Sequence, residues 1–214
     1  MDDSKIALRI NIDEDLSQLA NYKDLPIDIY INENPKGFGE NHNLTFKSYL
    51  SDFFIIVNPD IRLVEIQIDV MLKLFMEGTV GAVAPCVVSP SGELEDSVRY
   101  FPTIIKMFIR LGTFKRLPDY DFMAEPINVD WAAGMFVVYR SSAFNSVGGF
   151  DERFFMYYED ADICRRLLRN SWRTLLQPNF TVIHNAQRKS HRNMRYFLWH
   201  VYSLFRILFL PAKK

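Results

Sequence analysis

Three residues of this 214-residue chain have the type and setting for catalysis: Asp60, Asp160 and His184. Asp60 follows the apolar run of "FFIIVNPDI". A carboxylate in a proline turn at a strand end can hold Mg²⁺ or Mn²⁺, which combine hard oxygen ligands with substrate phosphates. The same turn also serves as a solvated exit from a strand. Asp160, in "YYEDADICRRL", precedes Ile163 and Cys164 by three and four residues and so shares their buried helix face, while Asp162 points elsewhere, beside the arginines. An inward carboxylate there suits a general base for a hydroxyl, and an acid in a first turn also complements the helix dipole. His184 closes "FTVIH" either as a metal ligand or as a satisfied polar residue. Trp131, in "VDWAAG", offers an aromatic wall for a sugar ring or an ordinary core side chain. Gly37 and Gly39 open a helix in "ENPKGFGENHN", where backbone amides can approach phosphate, although GFG is not the dinucleotide-binding pattern.

These residues need a scaffold that delivers strand ends to one edge. "KIALRINI" (5–12), "IDIYI" (27–31), "FFIIV" (53–57) and "VGAVAPCVV" (80–88) read as strands, and "VDWAAGMFVVYR" (129–140) as one continuous strand. "TLL" and "FTVIH" read as two short ones. Helices are expected over 37–52, from Val64 to the Gly78 stop, briefly over 141–150, and over 159–170, the last with Ile163, Cys164, Leu167 and Leu168 as its apolar face. Strand and helix alternate at short spacing, which predicts an α/β fold with a mostly parallel, Rossmann-like sheet flanked by helices. The stretch from Asp96 to Asn128 is irregular, broken by Pro102, Pro118 and Pro126. No linker stands out, so residues 1–214 read as one domain.

Nearly half the residues are apolar, which excludes a disordered chain. Cys86 and Cys164 have no metal or redox spacing and read as reduced, buried thiols of a cytosolic protein. "MDDSKIALRI" has acids where a signal peptide would have bases. The overall charge of −1 conceals an asymmetry: residues 1–162 carry −12 and residues 163–214 carry +11, with no acid after Asp162. Such a tail suits an anionic partner. The segment 188–214 mixes bases with an aromatic run that is too short and too broken by Arg206 to span a bilayer. It fits an amphipathic helix over about 190–211, lying at a membrane interface or packed on the domain. No nucleic-acid-binding motif accompanies the charge.

The ordered series "GFGxxxN", strand–"NPD", "DWxxGxFxxxR", "GGFDExFFMYYEDxDxCxRL" and a strand ending in His resembles the family 2 inverting glycosyltransferases of the GT-A fold, in particular bacterial rhamnosyltransferases of O-antigen and cell-wall polysaccharide assembly. The resemblance runs from about Ile6 to the C-terminal helix and is most specific from Trp131 to Leu167. It implies that Asn58 and Asp60 occupy the family's metal motif and that Asp160 is the catalytic base. It further implies that His184 helps to hold the metal or diphosphate, and that Gly37, Phe38, Gly39 and Asn43 form the nucleotide-side loop. Trp131 and Glu159 fall on the acceptor side. A nucleotide-sugar donor such as dTDP-L-rhamnose, a lipid-linked saccharide acceptor, Mg²⁺ or Mn²⁺, and a cytoplasmic position on the inner face of the cell membrane are implied with them.

One departure stands out. The family begins with a strand and helix preceding anything seen here, and "RINID" has Ile10 where an Asp-Asn pair would place its acid, leaving Asn11 as a match with Asp13 nearby. The expected sheet therefore lacks its first strand. This leaves a second reading, an inactive or split fragment with a scaffold role. A nucleotidyltransferase would need a basic glycine-rich signature near the N-terminus, which this chain does not have.

Overall fold

The computed structural model describes residues 4–11, 25–64, 68–104, 119–120, 124–185 and 194–213. The expected polar stretch after β1, including Asp13, lies largely outside them, as do Pro118 and the bases at 188, 189 and 192. The elements run β1 (Ile6–Ile10), β2 (Ile27–Ile31), α1 (Phe38–Lys47), β3 (Phe53–Val57), β4 (Ile61–Leu63), α2 (Ile68–Leu74), β5 (Val80–Val88), β6 (Val98–Arg99), β7 (Ile127–Asn128), β8 (Trp131–Ala132), β9 (Phe136–Arg140), α3 (Ser141–Ser146), α4 (Glu159–Arg169), β10 (Arg173–His184) and α5 (Met194–Phe209).

The α/β expectation holds, but the main sheet is mixed rather than mostly parallel. Its order is β3-β9-β5-β10-β4, with β7 also on β10. Within it β5 and β10 run parallel, while β3–β9, β9–β5, β10–β4 and β10–β7 are antiparallel. The cause lies in the stretch 129–140, which is not one strand. It bends at Gly134–Met135, so that Phe136–Arg140 inserts antiparallel between β3 and β5 while Trp131–Ala132 pairs with β6.

The core fills both sheet faces, as alternation along a strand requires. On β9, Val137 and Tyr139 join Ile56, Phe144, Phe150, Ile163 and Leu167 on one face. Phe136 and Val138 join Met71, Phe75, Leu175 and Val182 on the other. Cys86 and Cys164 are buried free thiols. Leu168, expected on the buried face of α4, is 56% exposed; Ile163, Cys164 and Leu167 fill that face without it.

Two further corrections bear on the site. Of the predicted helix from Val64 to Glu77 the described part is α2, which ends at Leu74, with residues 65–67 outside the described residues; just before it Ile61–Leu63 pairs with the end of β10, Ile61 opposite His184. The predicted short strands "TLL" and "FTVIH" are one strand, whose pairing with β5 shifts register between Gln177 and Thr181 around Pro178. Proline here makes a bulge in a strand that continues.

β1 and β2 form a separate parallel pair. Among the described residues β1 pairs only with β2, and β3 only with β9. Helix α1 links the two sheets. Thr45 accepts from Arg9 Nε of β1 at 3.3 Å, and the rings of His42 and Phe46 meet Phe54 of β3 at 6.4 and 5.3 Å.

Candidate active site

The site is built at the ends of β3 and β10. The chain leaves β3 through Asn58–Pro59 and re-enters the sheet as β4, so the pairing of Ile61 with His184 carries Asp60 to the histidine. Asp60 Oδ2 lies 3.3 Å from His184 Nε2, and the Asp60 carbonyl accepts the Asn185 N–H at 2.9 Å. The other carboxylate oxygen, Oδ1, is buried without a partner. Such an orphan acceptor is costly unless a cation or donor meets it.

His184 has a second carboxylate. Its Nδ1 sits 2.7 Å from Glu95 Oε2, and its side chain is only 11% exposed. A carboxylate can only accept, so Nδ1–H donates to Glu95, while Nε2 faces Asp60 Oδ2. The buried, unpartnered Asp60 Oδ1 beside this ring nitrogen is an acceptor that a cation would satisfy. Asp60 and His184 supply one oxygen and one nitrogen, a donor set compatible with Mn²⁺ or Mg²⁺ completed by phosphate oxygens. Among the described residues no group of three or more such side chains could hold a metal by itself.

Asp160 forms the other half. Its Oδ2 accepts the Gly134 N–H at 3.0 Å and its Oδ1 the Ala161 N–H at 2.8 Å. Burial raises its pKa above the ordinary carboxylate range; these two amides and the Arg99 charge oppose that rise. Glu159 beside it is buried with Oε2 unpartnered, and burial, reinforced by the Asp160 charge, pushes its carboxyl well up. The helix is entered through Tyr157 and Tyr158 at φ 72° and 65°, left-handed values that side chains seldom adopt. Strain of this kind collects at functional sites, and here it turns the first turn of α4 inward. Asp162, also at the first turn, forms a buried pair with Arg166 at 2.7 Å.

One short segment joins the halves. Gly134, which binds Asp160, precedes Met135, whose carbonyl accepts the Asn58 N–H at 2.9 Å. Thus the Asp160 carboxylate and the Asn58–Asp60 turn are held by the same bend. The other expected residues fall into two groups. Phe38 reaches the bend: a Cβ on Gly134 would meet its ring at 3.0 Å. Gly37, Gly39 and Asn43 hold α1 against the 150–155 loop. A Cβ at Gly39 would lie 2.6 Å from Phe150 Cβ, one at Gly37 2.8 Å from the Phe155 carbonyl, and the Asn43 amide bonds the Phe150 backbone in both directions. Trp131 is 5% exposed, with the Arg99 guanidinium 5.0 Å from its ring and Tyr158 packed alongside at 5.8 Å.

Sequence reasoning passed over Glu95 and Arg99. Both lie in "GELEDSVRY", where Arg99 also pairs with Asp96 at 2.9 Å. The signal was a cluster of acids just past a strand-ending turn.

No family model matches the chain. Relatives do. It is 32% identical over 195 residues to "Rhamnosyltransferase WbbL" of Escherichia coli K12, covering 84% of this chain and 72% of that protein. The chain belongs to the rhamnosyltransferase-like family 2 glycosyltransferases. A second relative of this family, the "N-acetylglucosaminyl-diphospho-decaprenol L-rhamnosyltransferase" of Mycobacterium tuberculosis, is 31% identical over 173 residues, 76% of this chain. The match spans 56% of that relative's length. The fold is GT-A, shared with GalNAc-T7 bound to UDP, GalNAc and Mn²⁺ at a TM-score of 0.69 and 11% identity, over 95% of this chain and 41% of that one. A mannosyltransferase of Pyrobaculum calidifontis in complex with GDP-Man and Mn²⁺ follows at 0.60 and 14%, over 94% and 53%.

Proposed function

We propose that this glycosyltransferase moves a sugar, L-rhamnose from dTDP-L-rhamnose, onto a hydroxyl of a lipid-linked saccharide during assembly of an O-antigen or other lipopolysaccharide, with inversion at the anomeric carbon. Residues 1–214 act as one domain, working in the cytoplasm on the inner face of the membrane. The observation that carries the reading is the juxtaposition of Asp60 and His184 at one end of the 133–135 bend with Asp160 at the other. The names of the two relatives support the sugar and, for the mycobacterial protein, a diphospho-decaprenol acceptor.

Asp160 serves as the general base. Its two amide donors fix the carboxylate, and its raised pKa makes it a stronger proton acceptor than a surface aspartate. As the acceptor oxygen bonds to the anomeric carbon, the bond from that carbon to the diphosphate breaks and the hydroxyl proton passes to Asp160. Asp60 and His184 would hold the metal, with Glu95 orienting the ring. The ion, when bound, neutralises charge growing on the nucleoside diphosphate. Phe38 and the α1 loop border the donor side, and Glu159 and Trp131 the acceptor side.

A transfer assay with a panel of nucleotide-sugar donors and membrane extract tests this. Asp60→Ala should abolish both metal-dependent donor binding and turnover; unchanged turnover would remove Asp60 from the metal site.

The interruption between β1 and β3 favours a second reading, a non-catalytic scaffold whose nucleotide side is incomplete. That reading requires calorimetry to detect no thymidine or uridine diphosphate sugar at any metal concentration.

A further inference from the structure

Helix α5 has two faces of different character. One is anchored: Ser203 Oγ donates to the Met156 carbonyl at 2.8 Å, Trp199 packs on Phe155 with ring centres 4.5 Å apart, and Arg206 is buried with its guanidinium 5.6 Å from the Phe154 ring. The opposite face carries Phe197, Leu198, Val201, Tyr202, Phe205 and Phe209, each between 47% and 61% exposed. The four-residue spacing of 197, 201, 205 and 209 makes this a continuous stripe. Six adjacent large apolar side chains in water need a partner.

Charge at the C-terminal end of the stripe points to what covers it. Arg165 and Arg169, one turn apart on α4, line a groove of about 700 Å³ together with Phe209, Leu210 and Lys213. Arg165 donates to the Ile207 carbonyl at 2.8 Å, and burial, then the Arg169 charge, lowers its pKa against the opposing pull of Asp162. Neither arginine forms an ion pair with a carboxylate among the described residues, and no acid follows Asp162 anywhere in the sequence. Two like charges at this spacing repel, and among the described residues only the Asp162 charge offsets them at Arg165, so the groove suits a further anion. A second copy would bring another positive tail against the first. An anionic bilayer brings the opposite charge and an apolar interior together. At 16 residues, about 24 Å long, α5 is too short to cross a bilayer, and no described helix is long and apolar enough to do so.

We propose that α5 lies flat in the interface of an anionic phospholipid bilayer, its stripe among the acyl chains and Arg165 and Arg169 against headgroup phosphates. This deepens the reading of a lipid-linked acceptor and rests on it for its purpose, but not for its physics. Because the anchored face of α5 packs on the loop that enters α4, the orientation on the lipid would be shared with Asp160.

The test is flotation of the full chain with vesicles of phosphatidylcholine alone and of phosphatidylcholine with phosphatidylglycerol, without any donor. Binding to the anionic vesicles alone, weakened by salt, is expected. The Phe197→Glu/Phe205→Glu variant should lose at least about tenfold in partitioning, and Arg169→Gln, at an exposed position, about fivefold. Both should keep the wild-type circular dichroism melt and metal-dependent donor binding. Equal binding to both vesicle types, absence of binding to either, or a concentration-dependent dimer that the Phe→Glu changes dissociate would each overturn the proposal. Asp60→Ala should float like the wild type, so failure of the transfer chemistry and failure of the lipid surface are separable.

Discussion

Asp160→Asn separates catalysis from architecture. The wild-type carboxylate accepts two backbone N–H groups, from Gly134 and Ala161. Asparagine keeps one acceptor oxygen and sets an amide N–H against the other donor, a mismatch costing about 1–3 kcal/mol. Against this, the change removes a charge that burial disfavours, as the raised pKa records. The two effects oppose, so the net loss of folding stability should stay below about 3 kcal/mol and the variant should fold. Transfer should drop by about 10²–10⁴, or roughly 3–5 kcal/mol of transition-state stabilisation, the usual contribution of a general base. The wild-type rate should also fall on the acid side at a pH above the ordinary carboxylate range, and the variant should lack that limb. The assay is single-turnover transfer across pH, with donor binding by calorimetry and urea denaturation as controls. A folded variant with wild-type turnover would refute the base assignment. Loss of donor binding in proportion to rate would make Asp160 a strut for the 133–135 bend.

The remaining predictions concern neighbouring groups. Glu95→Ala frees the His184 ring and should weaken Mn²⁺ binding, read by titration of the donor-free protein, about 10–100-fold, with partial rescue by Glu95→Gln, which can still accept from Nδ1–H; equal affinity in all three would detach Glu95 from the site. Glu159 has a folded pKa raised above its unfolded value, so its contribution is present at low pH and lost as pH rises through the folded pKa. Glu159→Gln should therefore gain in urea midpoint over the wild type with increasing pH, and parallel curves would contradict the burial of that charge. His42, against Phe38 and Phe150, has its pKa lowered to about 4, by burial first and then by Arg9. The neutral ring thus contributes stability that is present above the unfolded value of 6.5 and lost as pH falls toward 4, at most about 3 kcal/mol. His42→Leu should flatten the stability profile in that window, and an unchanged acid limb would place the sensitivity elsewhere.

Much of this was legible in local pattern. The apolar runs 53–57 and 80–88 were legible as strands, the second buried almost throughout but the first an edge strand that leaves Ile55 and Val57 at 41% and 45% exposure, short of the full burial its apolar run suggests, and α4 was legible from Ile163, Cys164 and Leu167 one turn apart. Asp60, Asp160 and His184 were likewise singled out from their places at element ends, and the structure brings Asp60 to His184. What escaped depends on pairing between distant segments. Nothing in "IRL" announces a strand, and only the last residues of β10, more than a hundred positions later, make it one. "TLL" and "FTVIH" read as two strands because the partner that carries the strand past Pro178, β5, is not adjacent in sequence. Glu95 sat in a stretch without periodicity, and its role arises from a histidine on another strand.

The same non-local pairing explains how the two halves of the site keep their spacing. The β3–β9 ladder runs from Phe53–Arg140 to Val57–Phe136 and ends where the Asn58 amide bonds Met135. A ladder of this length fixes register, because a slip of one residue would turn Ile56 and Val137 out of the core. Asp60 and Gly134 therefore stand at a set separation before either meets a ligand, and Asp160 takes its position from Gly134. Strands β1 and β2 have no such ladder to the main sheet among the described residues; they reach it through α1. Precision is thus built into the end that holds Asp60 and Asp160, whereas the β1–β2 side can adjust by tilting one helix. Amide exchange should follow that division: slow protection across β3, β5 and β9, and faster exchange in β1 and β2 that slows when a nucleotide sugar binds. Equal protection of both sheets without ligand would show that α1 alone holds the sheets as one rigid body.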